Sequence, residues 1–171
     1  MLDRYQSADE CCNYNVENSV LWNRNGSQPD FLSHRVGIGD VPFQAEIVIP
    51  VERFSLLEDE LTELPAKIKS HYAMLHNVPV CIDFMKEKLV GVVGGKNLQG
   101  AVNIAQAVIA QIAANHSYTD VKLVIIYDEK KNELNSSWKF ARWLPHVWNE
   151  TGTFRYVASN KEEASEVFYE L

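Results

Sequence analysis

The sequence is short of the features that mark whole classes of protein. Three of its 171 residues are cysteine, Cys11, Cys12 and Cys81, an odd number with two of them adjacent. Neighbouring cysteines are poorly placed to bridge each other, and no Cys-x-x-Cys or Cys/His pair has zinc spacing. Neither a disulfide framework nor a zinc module is expected; the pattern is that of reduced thiols in a cytosolic protein. A basic excess is also lacking: 16 Lys and Arg stand against 23 Asp and Glu, a formal net charge of −7. Duplex binding draws on displaced counterions, so nucleic acid is not the default partner. Residues 1–10 carry Asp3, Arg4, Asp9 and Glu10 and no apolar core, so no cleavable signal is read. Charge is absent altogether from Asn97 to Thr119. That stretch is punctuated by Asn97, Gln99, Asn103, Gln106, Gln111 and Asn115, too many amides for a bilayer centre. A helix buried in a soluble globular fold is expected there.

What is present is ordinary globular composition, 46% apolar and 23% charged, which excludes disorder and fibrous repeats. The length suits one domain with an appendage. Ser7 with Glu10 three residues on has capping-box spacing and predicts a helix to about Leu21. The run from His34 to Asp40 reads as a strand ending in a Gly37/Gly39 turn, and Gln44 to Ile49 as a second strand stopped by Pro50. Together they predict a small hairpin. Leu57, Leu61, Leu64, Ile68 and Leu75 predict a helix from Leu56 to about Met74, kinked or broken at Pro65. The reading divides the chain into an extension over 1–55 and an α/β domain over 56–171.

Val78 to Phe84 and Leu89 to Val93 are β-rich runs joined by a charged connection. After Gly94-Gly95 comes the long uncharged helix, with Leu98, Val102, Ala105, Ile109 and Ile112 on one face. Val121 to Tyr127 reads as a strand buried on both faces, Ser136 to Leu144 as an aromatic helix ended by Pro145, and Phe154 to Ala158 as another strand. A final helix opens at Ser159-Asn160, with Ala164, Val167, Phe168 and Leu171 on one face. From Leu89 on, strands and helices alternate, which predicts a parallel sheet covered by helices. The last helix meets no stop signal, so the chain reads as a piece of something longer, truncated at its C-terminus.

Strand, glycine turn and helix is the geometry that offers backbone N–H groups to phosphate. The phosphate loop needs G-x-x-x-x-G-K-[ST]. From Gly94, the second glycine, the lysine and the hydroxyl are replaced by Gln99, Gly100 and Ala101; from Gly91, Lys96 falls where glycine belongs. A charged hydrogen bond contributes about 1.5–3 kcal/mol, so losing the lysine and the magnesium-binding hydroxyl costs on the order of two to four decades in affinity. An architectural turn is the favoured reading. The rival is an atypical cradle of Gly94, Gly95, Lys96 and Asn97, with Asp128 near the metal. Trp138, Trp143 and Trp148 crowd a short segment and are the candidate interaction residues, although core packing is expected for at least two of them. His34, His71, His76, His116 and His146 are scattered without ligand spacing. No metal site and no catalytic pair is nominated.

Several blocks together resemble a known family. Leu21-Trp22-Asn23-Arg24 followed by Asp30-Phe31-Leu32-Ser33-His34-Arg35-Val36-Gly37-Ile38-Gly39 is similar to the LWxR and DFLxxRxGxG block of the FtsK/SpoIIIE-type coupling ATPases of type VII secretion, EssC/EccC-like. Asn77-Val78-Pro79-Val80, Val90 to Gly94, Ile109 to Ala113 and His116-Ser117 match its next stretch. Trp143-Leu144-Pro145-His146-Val147-Trp148 resembles its WLPH signature, the most specific match. The resemblance covers roughly residues 5 to 170.

The resemblance implies a parallel-sheet, P-loop-ATPase-like but degenerate module with an N-terminal helix and small β-hairpin extension, upstream of the motor domains. It implies a non-catalytic connector or assembly module of a membrane-anchored secretion ATPase, at the cytoplasmic face of the membrane. No cofactor is expected in this chain; ATP and magnesium belong to other domains of the parent ATPase. The implied partners are those neighbouring ATPase domains, secretion-complex membrane proteins and further copies of the chain. Two alternatives remain: a module that itself binds ATP weakly, and a DNA-translocase relative.

Overall fold

A computed structural model describes residues 4–49, 60–96, 98–130 and 133–171. The first helix, α1 (Ala8–Cys12), carries the expected capping box. The Ser7 hydroxyl accepts from the Glu10 N–H, and the Glu10 carboxylate accepts from the Ser7 N–H at 2.6 Å. It ends at Cys12 rather than near Leu21. Asn15 and Asn18 bond instead to nearby backbone N–H groups, accepting from Glu17 and Asn15, the local competition that makes asparagine a poor helix interior residue.

The small hairpin is rearranged. Strand β1 (Ser33–Pro42) does form, but residues 44–49 make no strand. Helix α2 (Glu60–His71) follows, and beyond it strand β2 (Met74–Asp83) pairs antiparallel with β1, Ser33 opposite Asp83 and Pro42 opposite Met74. The glycines read as a turn lie inside β1, between two register shifts. A Cβ on Gly39 would stand 3.1 Å from Val80 Cγ2, so this glycine serves close strand approach. Helix α2 runs through Pro65 without a break; the lost hydrogen bond is one among several. The start expected at Leu56, and the 55/56 division of the chain, lie outside the described residues.

Leu89 to Val93 forms no strand. Leu89 and Val93 are 94% and 92% exposed, and β-propensity without a paired edge does not make a ladder. Helix α3 (Leu98–Asn115) is the uncharged helix, as expected. Strand β3 (Ile125–Ile126) pairs parallel with β4 (Val157–Ala158). Backbone bonds from Ile125 to the Tyr156 carbonyl and from Tyr127 to the Ala158 carbonyl hold this contact, and Leu123 bonds to the His146 carbonyl beside it. Between the two strands the aromatic segment is a 3-10 helix, Glu133–Trp143, followed by a second, Pro145–Val147. Helix α4 (Lys161–Glu170) is capped by Asn160, whose side chain accepts from the Glu163 N–H at 2.9 Å. Of its expected apolar face only Val167 is buried; Phe168 and Leu171 are exposed.

The core gathers Ile125, Ala141, Val147 and Val157, with Ile109, Leu123, Trp138 and Trp148 packed around them. The architecture is mixed α/β with one antiparallel and one parallel pair of strands. Among the described residues there is no helix long and apolar enough to cross a membrane.

Candidate functional site

The glycine turn precedes α3. Gly94 is half-buried, Gly95 and Lys96 are exposed, and Asn97 lies outside the described residues. Gly95 has φ +56°, a left-handed backbone that favours glycine. A Cβ on Gly91 meets nothing within 4 Å, so no close approach requires glycine there. One oxygen of Asp128 accepts from the Lys130 N–H at 3.0 Å within its own loop. Of the three tryptophans, Trp138 and Trp148 pack half-buried on the core, and Arg155 stacks over Trp148 at 4.2 Å. Trp143 is 82% exposed.

The opposite end of α3 is where the chain converges. An α-helix leaves its last carbonyls without intrahelical donors, and α3 has no basic side chain in its final turn to meet them. Residues 22–24 supply the donors instead. The Trp22 indole N–H donates to the Ala113 carbonyl at 2.9 Å and the Trp22 backbone N–H to Ala114 at 2.9 Å. The Arg24 N–H donates to Asn115 at 3.0 Å. Trp22 holds φ +56° to do this, a strain of about 1–2 kcal/mol that the bonds it makes offset.

Three of the five scattered histidines meet here, His34 from β1, His116 just past α3, and His146 from the Pro145–Val147 turn. Each is at most 1% exposed. Their tautomers follow from their partners. His116 Nδ1–H donates to the Arg24 carbonyl at 3.2 Å, which leaves Nε2 as an acceptor for His34 Nε2–H at 3.2 Å. His146 Nε2–H donates to the His116 carbonyl at 2.8 Å. The remaining ring nitrogens, His34 Nδ1 and His146 Nδ1, are buried without a partner among the described residues, so neither is a place for a proton. Burial, first of all, lowers all three pKa values; His34, also facing His116 and Arg24, is pushed down to about 3. The cluster is neutral.

Beside it lies a buried cation, Arg24. The Arg24 guanidinium donates to the Ser33 carbonyl at 3.1 Å and to the Arg4 carbonyl. It stands 4.0 Å from the buried Asp30 carboxylate, which Arg4 binds at 3.0 Å. The Arg4 hydrogen bond, ahead of Arg24, holds the Asp30 carboxyl below the usual carboxylate range.

The amides of α3 tie the neighbouring elements to this junction. Gln111 accepts from the Arg35 N–H at 2.9 Å and donates to the Arg35 carbonyl at 2.7 Å, acting as a strand partner for β1. Gln106 donates to the Ser137 carbonyl at 2.9 Å. Asn115 donates to the Gln111 carbonyl at 2.9 Å and reaches Cys11 Sγ at 3.9 Å. Burial pushes the Cys11 thiol up to about 11, which makes it inert. Spacing alone hid the histidine cluster, because its members come from three distant segments. Each, however, sits in a separate block of the family resemblance. No group of three or more His, Cys, Asp or Glu among the described residues is arranged to hold a metal ion. The junction shuts its histidines away from solvent, and Arg4, Arg24, Asp30 and Asn115 line an open surface pocket at its edge. What it can do is hold.

No protein-family model matches the chain. Curated relatives do. An ESX secretion system protein EccC of Geobacillus thermodenitrificans is 33% identical over 131 residues, 75% of this chain and 8% of that protein. The ESX secretion system protein YukB of Bacillus subtilis is 26% identical over 157 residues, 88% of this chain and 10% of that one. A type VII secretion system protein EssC of Staphylococcus aureus is 24% identical over 127 residues, covering 74% of this chain and 8% of its own length. The chain therefore spans about a tenth of the length of the relatives it matches.

Proposed function

We propose that this chain, an EssC/EccC-like region with homologues in type VII secretion, acts in protein export as a non-catalytic connector. It joins a membrane part to ATP-hydrolysing domains and offers surfaces for assembly at the cytoplasmic face of the membrane. One observation supports the reading above all. The family-like blocks that hold Trp22, His34, His116 and His146 converge on the C-terminal end of α3, in a buried, hydrogen-bonded junction built around three neutral histidines. Residues that pack a helix end against two other segments transmit position, and nothing about them resembles a reacting centre. The P-loop-ATPase-like architecture belongs to the same proposal. The parallel β3/β4 pair flanked by α3 and α4 supports it, as does the glycine turn ahead of α3.

In this reading Gly94, Gly95, Lys96 and Asn97 are a degenerate turn, the exposed Trp143 is a contact residue, and ATP and magnesium act only in neighbouring domains. Titrating magnesium–ATP into the chain by calorimetry tests it. The expected outcome is no saturable heat up to millimolar nucleotide, with export by the whole secretion protein unchanged by Lys96→Ala. Micromolar binding abolished by Lys96→Ala would instead establish the turn as a working cradle.

A further inference from the structure

Helix α2 stands off the rest of the molecule. From Glu63 through Ala73 every side chain is exposed, including the large apolar ones of Leu64, Ile68 and Tyr72. Those three recur every fourth residue and share one helical face. A stripe of this kind in water is a face built to be covered.

The charges say by what. The helix begins with Glu60 and Glu63 in its first half, and it has Lys67, Lys69 and His71 in its second. Glu63 and Lys67 pair along the helix at 2.8 Å, and Lys69 has no acidic partner among the described residues. The two carboxylates and two ammonium groups cancel, so the helix has no net charge to offer an acidic or a basic partner. An anionic membrane surface requires a polar face rich in lysine or arginine, whereas half of this one is acidic. What matches an acidic first half and a basic second half is the same helix running the other way. The macrodipoles of two antiparallel helices add to the match.

We propose that α2 is a self-association arm, which packs antiparallel against α2 of a second copy of this chain. Leu64 and Ile68 of each copy meet across a two-fold axis, and the lysines of one lie along the acidic half of the other. Such an interface is isologous and closes at two. Parallel pairing sets acid against acid and base against base, and is disfavoured. The arm is about 18 Å long, shorter than a standard interface demands. The association is therefore weak in free solution and strengthens where copies are tethered near each other. None of this depends on the connector reading.

Two charge variants of the whole chain decide it. K67E/K69E makes the helix wholly acidic, and E60K/E63K makes it wholly basic. Sedimentation equilibrium from micromolar to millimolar protein should show a monomer–dimer equilibrium for the wild type. Each variant alone should be weakened by about tenfold or more, and their equimolar mixture should regain association. Leu64→Asp should abolish dimers while far-UV circular dichroism stays unchanged, because that side chain is exposed in the monomer. A wild-type chain that is monomeric throughout would overturn the proposal. So would a dimer indifferent to both charge variants, or α2-dependent binding to phosphatidylglycerol vesicles without self-association.

Discussion

His34 is the residue whose behaviour reports most directly on the junction. In the folded chain its pKa is about 3, against an ordinary 6.5, because charging it means placing a cation in a buried site that already holds Arg24. Below pH 6.5 the unfolded chain therefore takes up a proton that the folded chain refuses. Stability contributed by the neutral ring is complete above the ordinary value and is lost as pH falls toward 3, by about 1.4 kcal/mol for each pH unit. His116 and His146 are lowered in the same direction and steepen the loss. Asp120 acts the other way on His116, and Lys122 adds to the depression of His146. Thermal unfolding followed from pH 7 to pH 4 should show the midpoint dropping once pH falls below about 6.5. His34→Gln keeps a donor for His116 Nε2 without a titrating ring, and it should flatten that slope. An unchanged slope in the variant would place the acid sensitivity elsewhere.

At the scale of elements, Gln111 is the test of how α3 holds β1. Gln111→Leu keeps the size and removes both bonds, leaving the half-buried Arg35 N–H and carbonyl without their side-chain partner. The expected loss is about 2–4 kcal/mol, read as a lower urea midpoint, with amide exchange accelerated first along β1. The sequence discloses such elements unevenly. The capping box of α1, the Asn160 cap of α4 and the charge-free length of α3 are local signals, and local signals were legible. Strand pairing was not. The partner of β1 lies beyond α2, and no periodicity between residues 34 and 49 announces it. Gly37 and Gly39 carry turn chemistry by composition, yet Gly39 is there because Val80 comes close. The histidine cluster was hidden for the same reason: Arg24, His34, His116 and His146 are brought together only by the fold. In sequence the amides of α3 read as an obstacle to membrane insertion; their positive use, as tethers to β1, α1 and the Glu133–Trp143 helix, arises only in the fold.

The molecule as a whole combines an acidic surface with much uncovered apolar area. Leu89, Val93, Trp143, Tyr169 and the α2 stripe are all exposed, on segments that are far apart in sequence. A chain with this distribution suits contact with other protein surfaces better than contact with nucleic acid. With a formal charge of −7, it should pass through a duplex DNA column at physiological salt without retention. Salt-dependent retention would revive a translocating relative.

The cap on α3 joins Trp22 to Ala113 across 91 residues. A ribosome adds about 5–20 residues each second, so Trp22 leaves the exit tunnel roughly 5–20 seconds ahead of the carbonyls it will meet. During synthesis the segment that carries Trp22, Arg24 and His34 waits for a helix not yet made. Closure of this contact thus waits on the synthesis of α3, and any factor that shields nascent chains would find its opportunity in that interval.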